Sequence, residues 1–305
     1  MAFTYALAEF LDFKDAAVCE RVRRIKREEI TQHPNPDFKI EIIDDPGEFY
    51  AAFATDIVMR IKQALDEGRR FVGIFPVGPM PQYPIAARMI NALRIPMHHV
   101  HTFNMDEYAD ENGRTAPPDW EGSFQKAMFD RFFNLIDPEL RPPLSQIHFP
   151  TTENLPRYAE MIEELGGADV CYGGIGWCGH IAFWESSLGY EFGDDLEAYK
   201  KAGPRLVTLT PMTIMQNALH SFGGDWSWVP PKANTIGPAQ ILGARYRSFW
   251  LDGYIGGGVS WQRFIARLVA HGPVNTFVPG SILQTAPTRY VLLGGVADNV
   301  EIHMS

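Results

Sequence analysis

The residues best suited to chemistry sit in four short segments, each following a run that reads as a strand. Asp106 and Glu107 are adjacent in Asn104-Met105-Asp106-Glu107-Tyr108. Cys178 and His180 lie in Gly173-Gly174-Ile175-Gly176-Trp177-Cys178-Gly179-His180, and Glu185 follows in the next few residues. Carboxylates and imidazole are common carriers of general acid–base catalysis. An imidazole with its ordinary pKa near ~6.5 gives and takes a proton around neutrality. The other two segments, Phe75-Pro76-Val77-Gly78-Pro79-Met80-Pro81 and Asp252-Gly253-Tyr254-Ile255-Gly256-Gly257-Gly258, are rich in glycine and proline. Each segment is a weak signal alone. Together, acids, a histidine, a thiol and glycine-rich turns predict an enzyme.

What must bring them together is the order of elements. From Phe38 onward strand-like and helix-like pieces alternate. Phe38–Ile43 reads as a strand. Asp45-Pro46-Gly47 then opens a helix in which Phe49, Phe53, Ile57, Ile61 and Leu65 form one apolar stripe, with Gly68 as its stop. Phe71–Phe75 is nearly all apolar, as a parallel strand buried on both faces should be. Helices are expected over Pro84–Leu93, Phe124–Leu135, Leu155–Leu165 and Trp261–His271. Further strands are expected at His99–Phe103, Val170–Gly173, Arg205–Leu209, Phe249–Leu251 and Tyr290–Leu293. This alternation predicts an α/β fold: a modified Rossmann-like, mostly parallel sheet with helices on both faces. Ligands of such sheets bind beyond the carboxyl ends of the strands, where all four segments would lie. Residues 1–37 read as an N-terminal extension ending in His33-Pro34-Asn35-Pro36, and 38–305 as a single domain.

Composition narrows the partners. The 305 residues are 46% hydrophobic and 21% charged, enough for a full core and too ordered for wholesale disorder. A net charge of −10, with no basic tract beyond Arg21–Lys26, predicts neither nucleic-acid nor membrane binding. Cys19, Cys171 and Cys178 are an odd count at irregular spacing, so no disulfide framework or zinc set is implied. The first fifteen residues lack a basic n-region, and no apolar run is long enough to cross a bilayer, which predicts a cytoplasmic protein. A homo-oligomer is compatible with all of this.

The segments also carry a resemblance. Thr102-Phe103-Asn104-Met105-Asp106-Glu107-Tyr108 resembles the T-F-N-M-D-E-Y segment of glucosamine-6-phosphate deaminases/isomerases. Gly173-Gly174-Ile175-Gly176, then Gly179-His180-Ile181-Ala182-Phe183 and Glu185, resembles that family's G-G-[IV]-G-x-D-G-H-I-A-F-N-E. Ser281-Ile282-Leu283-Gln284 is similar to a weaker C-terminal segment, so the resemblance runs from about residue 38 to 305. It implies opening of an amino-sugar ring, movement of the carbonyl and release of ammonia, on a small sugar or sugar phosphate. Asp106 then matches the aspartate that shuttles a proton between C1 and C2, and His180 the ring-opening histidine. Glu185 matches the carboxylate that orients that histidine. Glu107 stands beside the first of these, where a structural salt bridge is an equal reading. Neither a cofactor nor a metal is assigned: His99 and His101 would face one way on a strand and His98 the other.

Two departures from the family pattern bear on the substrate. Cys178 stands where the family has aspartate, and a thiol is a poor hydrogen-bond acceptor beside a carboxylate. It is either a small filler or a nucleophile paired with His180. The family's P-T-G-G-T-P loop is here Pro76-Val77-Gly78-Pro79-Met80-Pro81, without hydroxyls and with two prolines that have no N–H to donate. The phosphate-contacting lysine falls on Gln262 and the active-site arginine on Leu219. Val77, Gly78, Met80, Gly174, Gly176 and Trp177 remain as sugar-binding candidates. A replacement anion site is conceivable at Gly256–Ser260, before a helix N-terminus, with Arg263 supplying charge. The alternative functions are a lactonase of the 6-phosphogluconolactonase type and a non-catalytic sugar-binding sensor.

Overall fold

In the computed structural model, which describes residues 5–302 and 304, the chain begins with α1 (Ala16–Arg23), β1 (Phe38–Ile43), α2 (Pro46–Asp66) and β2 (Phe71–Phe75). It continues through α3 (Gln82–Ala92), β3 (Val100–Asn104), β4 (Asp106–Ala109), α4 (Phe124–Arg131) and β5 (Ile147–His148). Next come α5 (Tyr158–Glu164), β6 (Val170–Gly173), α6 (Gly189–Phe192) and α7 (Leu196–Lys200). β7 (Arg205–Thr208), α8 (Pro211–Ser221), β8 (Lys232–Thr235) and α9 (Pro238–Gly243) follow. The chain closes with β9 (Tyr246–Leu251), β10 (Tyr254–Gly256), β11 (Val259–Ser260), α10 (Arg263–His271), β12 (Thr288–Leu293) and α11 (Gly294–Ala297).

Seven strands form one sheet in the order β1-β12-β9-β6-β2-β3-β5, every neighbouring pair parallel. The alternation of strand and helix therefore gives the parallel α/β architecture it predicts. All seven carboxyl ends share one edge of the sheet. β2 and β6 are buried along their whole length, which explains their unbroken apolar runs.

Local chemistry sets the longest helix. Asp45 caps α2 by accepting the Glu48 N–H at 2.9 Å, and Pro46 occupies the first turn, where its missing N–H costs nothing. Phe49, Phe53, Ile57 and Ile61 are fully buried along its inner face. Phe53 stacks flat on Trp250 of β9 at 4.5 Å, and Phe49 meets the same indole edge-on at 5.2 Å. Burying each such ring stabilises the fold by about 1.5–3 kcal/mol.

Three elements differ from the sequence expectation. Arg205–Leu209 does contain a strand, but β7 leaves the parallel sheet and joins a separate antiparallel sheet, β4-β8-β7. Its exposed and buried positions alternate, the mark of a strand covered on one face only. The Phe124–Leu135 helix ends at Arg131, because Phe132 leaves helical geometry and Phe133–Leu135 forms a 3₁₀ turn. Leu155–Leu165 begins as a 3₁₀ turn before α5.

Residues 5–37 pack onto the C-terminal part of the chain. Val22 and Ile30 are fully buried in the main core. Arg267 of α10, itself buried, donates to the Ile25 carbonyl at 2.9 Å, and Arg27 pairs with Asp298 at 2.7 Å.

Candidate active site

The loops leaving β2, β3, β6 and β9 enclose a cavity of about 360 Å³ at the carboxyl edge. Their close approach depends on small residues. A Cβ on Gly174 would lie 3.2 Å from the Gly78 carbonyl oxygen and 3.5 Å from that of Trp250, so the loop after β2 and the end of β9 converge on this glycine.

Asp106 lines the cavity at the start of β4, one residue beyond β3, where the chain passes from the large sheet to the small one. It is nearly buried, and no side chain among the described residues donates a hydrogen bond to it. Burial pushes its carboxyl well above the usual range, and the neighbouring Glu107 charge adds to the effect. A poorly solvated, unpaired carboxylate is a stronger base than one in water.

Glu107 faces the other way, as adjacent residues of a strand must. Its carboxylate accepts backbone N–H groups of Tyr108, Phe124 and Gln125 at 2.9, 3.0 and 2.8 Å, and the Ser123 hydroxyl at 3.1 Å. It satisfies the free donors at the start of α4 and does not line the cavity. A catalytic reading of Glu107 is therefore replaced by a structural one, with helix donors as partners rather than the anticipated salt bridge. Glu107→Gln is expected to destabilise the protein by about 1–3 kcal/mol while changing kcat less than tenfold. Denaturant unfolding and steady-state kinetics on one preparation would show both.

His180 and Glu185 are buried and linked through other side chains. His180 Nδ1 lies 2.9 Å from the Thr213 hydroxyl and 3.2 Å from the Cys178 thiol. The thiol in turn donates to Glu185 Oε2 at 3.3 Å, and Thr210 donates to the same oxygen at 2.9 Å. Among the described hydrogen bonds, Glu185 does not reach His180 directly, and Cys178 occupies the position between them. Glu185 Oε1 is buried without a partner. Burial pushes the Glu185 carboxyl up to about 8, with a further contribution from Cys178, and burial also lowers the His180 imidazole. Both groups are thus held toward their neutral forms near neutrality. Cys178, His180 and Glu185 also place one ligand atom each within 4.8 Å of one another, the set that could hold a metal ion.

Gly176 fixes where the imidazole lies. A Cβ there would fall 1.9 Å from His180 Nε2, so the ring sits directly over this glycine. The turn closes on itself, Gly176 donating to the His180 carbonyl at 2.9 Å and accepting from Gly179 at 2.8 Å. Gly176→Ala is expected to displace the imidazole and lower kcat about 10²-fold, with far-ultraviolet circular dichroism unchanged. Retention of full activity would show that the ring need not occupy this position.

Of the binding candidates, Val77, Gly78, Met80, Gly174, Gly176 and Gln262 line the cavity. Gln262 has both ends of its amide engaged, accepting the Gly253 N–H at 2.7 Å and donating to the Ile175 carbonyl at 2.5 Å. Trp177 is 37% exposed at the rim, near Trp261, which lines the cavity in its place. Ser260 donates to the Gly253 carbonyl at 2.7 Å and lies outside the cavity lining. Arg263 donates to the Gly295 carbonyl at 2.8 Å and pairs with Asp298 at 3.3 Å. Neighbouring helical positions point about 100° apart, so Gln262 inside puts Arg263 outside. Gly256–Gly258 form the turn of the β10–β11 hairpin, with left-handed φ angles, instead of an anion cradle. The anticipated replacement anchor at Gly256–Ser260 and Arg263 is corrected accordingly.

Sequence reasoning missed one wall. Gln216, Asn217, His220 and Ser221 of α8 line the cavity, as do Asp252 and Trp261. Thr210-Pro211 was the available signal, since proline is favoured in the first turn of a helix. Thr210 and Thr213 gave no sign of their role, which exists only once α8 docks against the His180 loop.

The parallel sheet and the loop-edge cavity define an α/β fold shared with sugar-phosphate enzymes. A solved monomeric glucosamine-6-phosphate deaminase superposes with a TM-score of 0.71 at 23% identity, covering 85% of this chain and 99% of that one. A 6-phosphogluconolactonase from Thermotoga maritima superposes at 0.59 and 14% identity, covering 83% and 98%. No protein-family model matches the chain. Sequence similarity points to the deaminases. The chain is 36% identical over 213 residues to a glucosamine-6-phosphate deaminase of Caenorhabditis elegans, covering 67% of this chain and 72% of the relative. It is 32% identical over 225 residues to one from Mannheimia succiniciproducens, covering 72% and 75%. The chain belongs to the glucosamine-6-phosphate deaminase family.

Proposed function

We propose that the cavity isomerises a 2-amino-2-deoxy aldose to a ketose with release of ammonia. The observation that carries this reading is the unpaired, buried Asp106 facing the same cavity as His180. In the tautomer whose Nδ1–H is donated to the Thr213 hydroxyl, Nε2 of His180 is free to take the anomeric hydroxyl proton and pass it to the sugar's ring oxygen as the C1–O bond opens. The same proton thus moves from the anomeric oxygen to the ring oxygen, leaving an open-chain aldehyde. Asp106 then removes the C2 proton and returns it at C1 while an amine proton passes to O1, which converts the C1 carbonyl to an alcohol and the C2 amine to an imine. Water adds at C2, ammonia leaves, and a ketone remains. Positioned acid–base help of this kind is worth about 10²–10⁴ in rate at each step.

Lactone hydrolysis, known for the more distant structural neighbours, requires no base at C2, and a sensor requires no proton transfer. A cytoplasmic setting belongs to the same reading, supported by three free cysteines and by described helices none of which could cross a membrane. Proton NMR in D₂O with glucosamine and glucosamine 6-phosphate tests it. Deuterium appearing at C1 of a ketose, with ammonia released, is the expected result. Hydrolysis of 6-phosphogluconolactone with no such exchange would overturn it.

A further inference from the structure

Asp252 stands at the carboxyl end of β9 and lines the cavity on the side away from Asp106. In the sheet order β9-β6-β2-β3, three strand spacings separate the strand ends beyond which the two acids lie. That is roughly 14 Å between backbones. Both acids line the same cavity of about 360 Å³, which has room for one hexose. A sugar with C1 and C2 at Asp106 therefore directs its C6 end toward Asp252.

We infer that the substrate is an amino sugar carrying no phosphate, its C6 hydroxyl received by Asp252 and the amides of α8. The inference rests on the amino-sugar reading above and names its substrate class. One Asp252 oxygen is held by the Tyr50 hydroxyl at 2.8 Å, which fixes the carboxyl and leaves the other oxygen for a ligand. Gln216 uses its Oε1 on the Trp177 N–H, and Asn217 uses its Nδ2 on the Thr213 carbonyl. The remaining amide ends supply one donor and one acceptor, a pairing for hydroxyl groups. Among the described residues lining the cavity none is lysine or arginine. A phosphate would meet a carboxylate, a Gln262 amide already committed on both sides, two prolines without N–H groups, and in His220 an imidazole that burial lowers toward its neutral form. Burial raises the Asp252 carboxyl, and a hydroxyl can pair with either of its protonation states, whereas a phosphate dianion is repelled by the ionised one.

The test measures binding and exchange separately on the full chain. Isothermal calorimetry is run with glucosamine, glucosamine 6-phosphate and inorganic phosphate, and deuterium exchange with both sugars. The expected result is glucosamine bound, with kcat/KM at least 100-fold above that of its 6-phosphate and no binding of inorganic phosphate. Asp252→Asn should narrow that preference about tenfold by removing the repulsion. Tighter binding or faster turnover of the 6-phosphate overturns the inference and leaves the isomerase reading standing. Glucosamine bound but never exchanged supports the phosphate-free pocket and overturns the isomerase reading. Failure of glucosamine to bind at all overturns the substrate assignment.

Discussion

Asp106→Asn is expected to reduce C2-to-C1 proton transfer about 10⁴-fold, the upper range for one positioned acid–base group, while amino-sugar affinity changes less than fivefold. Asparagine keeps the shape but cannot take a proton. The carboxyl has no described donor to lose, so the substitution removes a buried ionisable group without breaking a network. Stability should therefore rise. A carboxyl pushed up by burial holds a proton in the folded state that the unfolded state releases. Its contribution to stability is full below the ordinary carboxyl pKa and is lost as pH climbs through the raised value. The variant is thus expected to melt higher than wild type near neutrality and to match it near pH 3. Deuterium incorporation, calorimetric binding and thermal melts report the three quantities independently. Undiminished exchange would remove Asp106 from the chemistry.

The second large effect is at Glu185, whose carboxyl is pushed up to about 8 by burial. The sign is the same: the protonated folded form is favoured, so stability falls as pH rises from about 4 to 8. Glu185→Gln keeps an acceptor for Thr210 and Cys178 but never ionises. Its gain over wild type is expected to reach on the order of 3–5 kcal/mol by pH 8–9 and to vanish near pH 4. The burial part of the His180 shift acts in both proteins, while the part caused by the Glu185 charge is lost in the variant. Activity should move the other way, falling about 10²-fold at pH 8, because the variant can no longer support positive charge on the imidazole. Urea unfolding between pH 4 and 9 measures the first quantity. A wild-type stability flat between pH 5 and 8 would mean that Glu185 is ionised throughout, as an ordinary carboxylate supporting His180 would be.

Together these expectations describe a site that costs the fold stability. Asp106, Glu185 and Asp252 are all carboxyl groups that burial makes harder to ionise. A core built for stability alone would not keep two such groups lining a cavity and a third behind its histidine. Clustered perturbed groups of this kind are a recurring property of sites that move protons.

The sequence by itself determined the framework. The apolar stripe of Phe49, Phe53, Ile57 and Ile61 made α2 a helix with one buried face, and unbroken runs such as Phe71–Phe75 made their strands central and parallel. A parallel sheet gathers its loops at one edge, so Asp106, Cys178 and His180 were bound to meet there whatever the details. Direction within that edge was decided only by tertiary structure. Asp106 and Glu107 are the same type of residue side by side; the strand's alternation sends one into the cavity, and the docking of α4 gives the other three of its four donors. Gln262 and Arg263 are likewise adjacent, and packing of α10 against the C-terminal segment turned the arginine away. Cys178 became the link between His180 and Glu185 only when α8 brought Thr210 and Thr213 alongside. The physical reason is common to all three. Periodicity and composition act over a few neighbouring residues, whereas the partner of a buried polar group comes from whichever distant element packs against it.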